Sequence, residues 1–212
     1  MSVSKIRIAL FGSFYRGYYL LSELLYGPLS AHFMVVGVAT DDVAQPFISA
    51  EKRVWQYAHL PAEETMVERY ARQHGLPVYT SRIKNDGFYD TYEQQWKPDM
   101  CVAATFGQLI DTRLFDFPKC GFFNIHPCVN DGWPSKYAGP NPFYALKNDG
   151  HDHAVAALHR VDREFDSGEL IALSPRVSMP ADATVVDMHK ITSPVFAKFA
   201  VPELLKLAQD AA

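Results

Sequence analysis

The sequence predicts an α/β protein with an open, mostly parallel sheet flanked by helices and an added antiparallel strand pair near the C-terminus. Short β-rich runs alternate with helix-period stretches through the first two thirds of the chain, the order expected of parallel strands. Two later β-type runs, residues 154–161 and 169–177, flank a turn-like stretch, residues 162–168 (DREFDSG), as an antiparallel pair would. The 212 residues, 48% hydrophobic and 21% charged, can bury an ordinary core without staples, which argues against disorder, collagen and coiled coil. We read residues 1–212 as a single domain.

Residues 5–12 (KIRIALFG) form a buried strand, residues 18–25 (YYLLSELL) an apolar-faced helix and residues 33–40 (FMVVGVAT) a second strand. Residues 43–60 show no period and read as an irregular loop. Helical spacing returns over 62–74, and Gly75 stands where a helix commonly stops in the left-handed conformation. A short strand at 77–80 precedes a helix centred on 89–96. Residues 100–106 (MCVAATF) and 121–125 (GFFNI) are two central strands. Asn130, Asp131, Gly132, Pro134, Gly139, Pro140, Asn141 and Pro142 then crowd into a long structured loop. The tail, about 184–208, has helical spacing, but Pro194 and Pro202 should kink or divide it. No repeat, low-complexity segment or linker stands out.

Twenty Lys plus Arg against twenty-four Asp plus Glu give a net charge of −4 without a long run of one sign. That disfavours bulk attraction to nucleic acid or an anionic membrane. Three cysteines without a CxxC pair make a disulfide framework improbable and a reducing compartment the simpler expectation. The N-terminus enters an alternating apolar stretch instead of a signal-peptide pattern, and no apolar run approaches the roughly 18 to 20 residues that span a bilayer. The expected location is cytoplasmic.

The turn Gly12-Ser13-Phe14-Tyr15-Arg16-Gly17 has two glycines at P-loop distance, but Tyr18 and Tyr19 stand where Lys and Ser or Thr are required. The bland reading is a strand-to-helix turn. Arg16 could offer a guanidinium to an anionic ligand above the sheet edge, or simply be exposed. Asn124-Ile125-His126 is sharper. It lies at the C-terminal end of a central strand, where open α/β sheets place their ligands, and strand alternation puts both polar side chains on one face. Asn suits an oxyanion, and His donates or carries a proton near neutrality. Asp166 could orient the imidazole or a water. A satisfied loop histidine is the competing reading. The His151 and His153 pair lacks a convincing further metal ligand and reads as turn histidines, so no metal is expected.

The strings Asn124-Ile125-His126-Pro127, Tyr137-Ala138-Gly139-Pro140-Asn141-Pro142 and Asp166-Ser167-Gly168-Glu169-Leu170-Ile171 resemble those of the folate-dependent formyltransferase family. Thr105-Phe106-Gly107-Gln108-Leu109-Ile110 is similar to its folate-loop segment, and the resemblance runs in order through roughly residues 5 to 180. It implies a Rossmann-like catalytic core that transfers a formyl group from 10-formyltetrahydrofolate to an amine nitrogen. Asn124 and His126 would polarise the formyl oxygen. Asp166 would act on His126 and through a water, moving the proton from the attacking amine to the departing folate nitrogen. The pterin would lie against Phe106, Gly107, Gln108, Leu109 and Ile110 and against Asp162, Arg163, Glu164, Phe165 and Asp166.

The chain also departs from the family's pattern. Residues 128–135 (CVNDGWPS) replace a stretch about four residues shorter in compact members. Cys128 beside His126 suggests a thiol nucleophile, but packing is the favoured role. Only forty-six residues follow Asp166, which argues against the further domain and basic surface expected of a tRNA-directed member. The first turn lacks the Gly-Asn-Gly-Ser type of loop expected for a ribonucleotide acceptor. A small amine remains, either a nucleotide-linked amino sugar or an amino acid. The turn Gly12, Ser13, Phe14, Tyr15 and Arg16 suits N5-hydroxyornithine, an acceptor in siderophore biosynthesis, with Arg16 pairing its carboxylate. Glycinamide ribonucleotide stays as an alternative acceptor. A non-catalytic folate-binding module and a formyltetrahydrofolate hydrolase are the alternatives of other classes.

Overall fold

A computed structural model describes residues 4–48, 50–164 and 166–211. The chain runs β1 (Ile6–Gly12), α1 (Phe14–Tyr26), β2 (Phe33–Ala39), α2 (Pro61–Glu64), α3 (Met66–Gln73), β3 (Val78–Tyr79), α4 (Asp86–Asp90), β4 (Met100–Ala104), α5 (Thr112–Phe115), β5 (Phe122–Cys128), α6 (Pro142–Asn148), β6 (His153–Arg160), β7 (Leu170–Leu173), β8 (Val177–Ser178) and α7 (Val185–Asp210). One sheet has the order β3-β2-β1-β4-β5-β6-β7, with β8 also on β6. The pairs from β3 through β5 are parallel, whereas β5–β6, β6–β7 and β6–β8 are antiparallel. The expected fold class is the observed one.

Alternation along β1 divides the core. Ile8 and Leu10 join the cluster under α1, α3, α6 and α7, while Ala9 and Phe11 face a second cluster containing Phe88, Tyr92, Trp96 and Phe122. A strand covered on both faces must be apolar throughout, which is why the sequence of β1 reads as a continuous run. Gly12 and Gly17 bring α1 onto the end of this strand: a Cβ on Gly17 would stand 2.7 Å from the Gly12 carbonyl carbon. These glycines serve close backbone contact, in keeping with a strand-to-helix turn.

Several boundaries differ from expectation. The helix expected over 62–74 is two helices meeting at Thr65, whose ψ of 10° leaves the helical region. The helix expected over 89–96 is the five-residue α4 continued by a π turn, Thr91–Trp96. The strand expected over 169–177 breaks between β7 and β8, where Pro175 has no N–H to give a ladder. α7 corrects the division expected of the tail: Pro194 and Pro202 lie inside one 26-residue helix. Each proline removes one N–H, but burial of Met188, Phe196, Ala200 and Leu204 along the helix holds it against the sheet layer. No described helix is long and apolar enough to cross a membrane.

Candidate active site

The order β2-β1-β4-β5 reverses direction in sequence between β1 and β4, and a cavity of about 710 Å³ opens beyond the C-terminal ends of these strands. Crevices of this kind are where open α/β sheets bind ligands. β4 stops at Ala104, one residue past the partner of Asn124, but β5 continues to Cys128 with only β6 beside it. The overhang frees one edge of the strand, and Asn124 and His126 face the cavity from it.

Register brings a residue from β6 to the same point. Asn124 lies opposite His159, and the Asn124 Nδ2 is 3.2 Å from His159 Nε2 and 2.9 Å from Asp166 Oδ1, to which it donates. Asp166 Oδ2 lies 3.3 Å from His126 Nδ1 and accepts from the Gly139 N–H at 2.9 Å. Burial alone would raise the carboxyl's pKa; contacts with His159, His126 and the Gly139 amide reverse this and hold it well below the usual carboxylate range. Asp166 is therefore ionised at neutral pH. Its φ of 49° places it in the left-handed region, which Asp tolerates better than most residues.

His126 is buried, with Nε2 2.8 Å from the Tyr137 carbonyl oxygen and Nδ1 facing Asp166. Burial lowers its pKa, against the opposing pull of Asp166 and Tyr137, so the ring is neutral at pH 7. A neutral ring has one proton, yet both nitrogens face oxygen acceptors. The side chain is thus placed to take up and release a second proton. Trp133 packs behind His159, its ring 5.0 Å from the imidazole and its indole N–H donating to the Gly168 carbonyl at 2.8 Å. A Cβ on Gly168 would come within 2.1 Å of the Arg160 carbonyl oxygen, so the turn that carries Asp166 fits here only with glycine.

The rest of the cavity lining differs in chemistry. On the wall nearest β2, Asp41 is buried, accepts from the Gly107 N–H at 3.0 Å and has its pKa raised to about 6, chiefly by desolvation. Arg53 donates to the Phe106 carbonyl at 3.3 Å. Thr105, a β-branched residue at φ 59°, leaves its buried hydroxyl without a partner. Strain of about 1–3 kcal/mol at such a residue persists only where its surroundings fix it, as binding sites do. At the other end, Arg16 and His189 are buried beside Phe143.

Of the residues expected at the site, the structure brings together Asn124, His126 and Asp166. Phe106, Gly107, Gln108, Leu109, Ile110, Asp162 and Glu164 line the same cavity; exposed Arg163 does not, and Phe165 lies outside the described residues. Of the first turn, only Arg16 lines it. Gly12 and Ser13 are buried in the turn, Phe14 packs on Trp55 and His189, and the Tyr15 hydroxyl bonds Glu63. Cys128 sits among Val155 and Ala157, and burial pushes its thiol up to about 12, in keeping with a packing role. His151 and His153 pair with Tyr137 and Asp152. Sequence reasoning missed His159, Asp41, Trp133 and His189. A lone histidine in the apolar run 154–161 was the available signal for the first; the others depend on contacts distant in sequence.

The crevice, the overhanging strand and the Asn-His-His-Asp cluster define a class by fold and place: an open α/β sheet with a polar side-chain cluster at the C-terminal ends of its parallel strands. A model described as "Formyl transferase" matches residues 6–195, and the chain belongs to that family. It is 28% identical over 118 residues to the methionyl-tRNA formyltransferase of Kosmotoga olearia, covering 56% of this chain and 36% of that protein. It is 30% identical over 120 residues to the Thermus thermophilus enzyme of the same name, covering 56% and 38%. The chain thus matches little more than a third of each relative's length. The crystal structure of phosphoribosylglycinamide formyltransferase from Anaplasma phagocytophilum shares the fold, with a TM-score of 0.70 at 16% identity over 98% of this chain and 88% of that one.

Proposed function

We propose that the protein transfers a formyl group from 10-formyltetrahydrofolate to an amine nitrogen of a small molecule. The observation that carries this reading is the convergence of Asn124, His126, His159 and ionised Asp166 on a cavity that residues 106–110 also line. The cavity falls within the range of small-molecule and cofactor sites. Backbone groups of residues 106–110 and the side chains of Asp162 and Glu164 suit the donor's pterin edge. The donor supplies a formyl carbon activated by its bond to nitrogen.

The chain's own residues do the rest. Asn124 donates to the formyl oxygen as negative charge develops on it, through the N–H now facing His159, and His126 joins it when its Nε2 leaves the Tyr137 carbonyl for that oxygen. As the amine nitrogen bonds the formyl carbon, Asp166, through His126 and a water, takes up the amine proton and delivers it to the departing folate nitrogen. The bond from formyl carbon to folate nitrogen then breaks. No covalent intermediate with the enzyme is needed. For the acceptor, the first turn with its buried arginine favours an amino acid, N5-hydroxyornithine in particular.

A panel of amines incubated with 10-formyltetrahydrofolate, with products identified by mass spectrometry, tests the reaction. Formate released without any amine would instead indicate hydrolysis. Asn124→Ala should lower the rate about a hundredfold or more, since one oxyanion donor contributes on the order of 3 kcal/mol, and Asp166→Ala about a hundredfold or more because the proton path through His126 is lost. Rates within a few-fold of wild type in folded variants would refute the assignment.

A further inference from the structure

Arg16 is almost wholly buried, yet only one of its three guanidinium nitrogens has a partner: Nη1 donates to the Ile125 carbonyl oxygen at 3.3 Å. Nε and Nη2 are buried with none. These two N–H groups form the edge of a guanidinium that accepts a carboxylate in two parallel hydrogen bonds. Among the described residues no carboxylate occupies that edge, although the charge of Asp166 acts on the group from a distance. Burial lowers the Arg16 pKa only to about 9, so it stays cationic at neutral pH.

A second orphan lies beside the first. His189, on the buried side of α7, leaves Nδ1 without a partner, and its ring packs on Phe14 and Phe143 at 5.3 and 4.7 Å between centroids. Phe143 also lies 5.7 Å from the Arg16 guanidinium carbon. Arg16 and His189 line the same cavity as the catalytic cluster. A buried cation without a partner is costly in a finished core but expected of a receptor whose ligand completes it.

We propose that Arg16 and His189 form a receptor for a carboxylate on the amine acceptor, with the Nε–Nη2 edge of Arg16 taking both oxygens and His189 Nδ1–H donating to one of them. This rests on the formyl-transfer reading and deepens it by naming the two side chains, one of them on α7, that read the acceptor's carboxylate. Ile125, whose carbonyl anchors Arg16, separates Asn124 from His126, so the carboxylate is seated beside the reacting centre. His189 participates as a neutral donor, since burial and the Arg16 charge hold its pKa well below normal.

Binding can be read without turnover from the Arg16 Nε–H resonance in NMR spectra of the whole protein, assigned with Arg16→Lys. Acetate should shift it saturably, and methyl acetate should not. An unmoved resonance, or a stronger response to inorganic phosphate than to acetate, would overturn the proposal. In the formylation assay, methyl esterification of an accepted amino acid should raise its KM about 100-fold or more, and Arg16→Lys or Arg16→Gln should do the same for the free acid. His189→Phe should give a smaller rise. A raised KM for the folate donor alone, or equal use of ester and acid, would show that Arg16 serves something else. If no amine is formylated but acetate still shifts the resonance, the transfer reading fails while the receptor stands.

Discussion

Asp166 and Asp41 line one cavity and are shifted in opposite directions. Asp166 is held below the unfolded value near 3.8, so its contribution to stability is present above that pH and is lost as the pH falls through the folded pKa. Asp41 is raised from 3.8 to about 6, so the folded state prefers it protonated and stability declines as the pH rises from about 4 to 6. Asp41→Asn keeps an acceptor for the Gly107 amide without this penalty. Relative to wild type it should gain about 2 kcal/mol between pH 4.5 and 7.5 in urea unfolding; a pH-independent difference would show that Asp41 is not perturbed. His126 gives a kinetic counterpart. Its lowered pKa places the acid limb of kcat/KM below pH 6.5, and a pH–rate profile with its limb above that value would contradict a neutral ring. Asn124 and His126 were legible because a strand's two-residue period is local. His159 was not, because only the pairing with β5 turns a histidine in an apolar run into a neighbour of Asn124.

Strands proved easier to locate than helices. β1, β2 and β4 carry continuous apolar runs because both of their faces are covered, β5 carries one interrupted only where Asn124 and His126 meet the cavity, and their positions follow from those runs. The short α5 and α6 were missed: four and seven residues give too little periodicity to separate them from loop, and α6 begins inside the proline-rich stretch. The continuous α7 was obscured by its prolines, whose local cost is outweighed by burial that no local pattern reports. Its start is well specified, with the Thr184 side chain accepting from the Asp187 N–H and Asp187 accepting from the Thr184 N–H. Thr184→Ala should cost about 1 kcal/mol in chemical denaturation. At the other helix of the cavity, Gly17→Ala sets propensity against contact. Alanine favours the helix by up to about 1 kcal/mol, but its Cβ would press on backbone that cannot rotate away, at about 1–3 kcal/mol. The net should be destabilising, accompanied by a raised acceptor KM as Arg16 shifts; a more stable variant with unchanged KM would refute the close contact.

Across the described residues, the two largest core clusters share the strands of one sheet, so neither can unfold without exposing the other, and two smaller clusters carry Trp55 and Trp133. Far-UV dichroism and the fluorescence of Trp55, Trp96 and Trp133 should therefore trace one urea transition, and separate midpoints would divide the chain into independent units. The net charge of −4 bears on partners in the same way. Formylation of a small amine should change little between about 50 and 200 mM salt, whereas a partner held through six or more phosphates would lose about a thousandfold or more in affinity. The overhang of β5 carries one more consequence. Asn124 meets His159 only because β5 and β6 pair in one register, and a slip of a single residue would turn His159 to the opposite face while leaving much of the apolar surface covered. Recovery of activity during refolding is therefore a register assay: it counts molecules whose last two long strands have aligned correctly, a population that dichroism alone would merge with the misaligned.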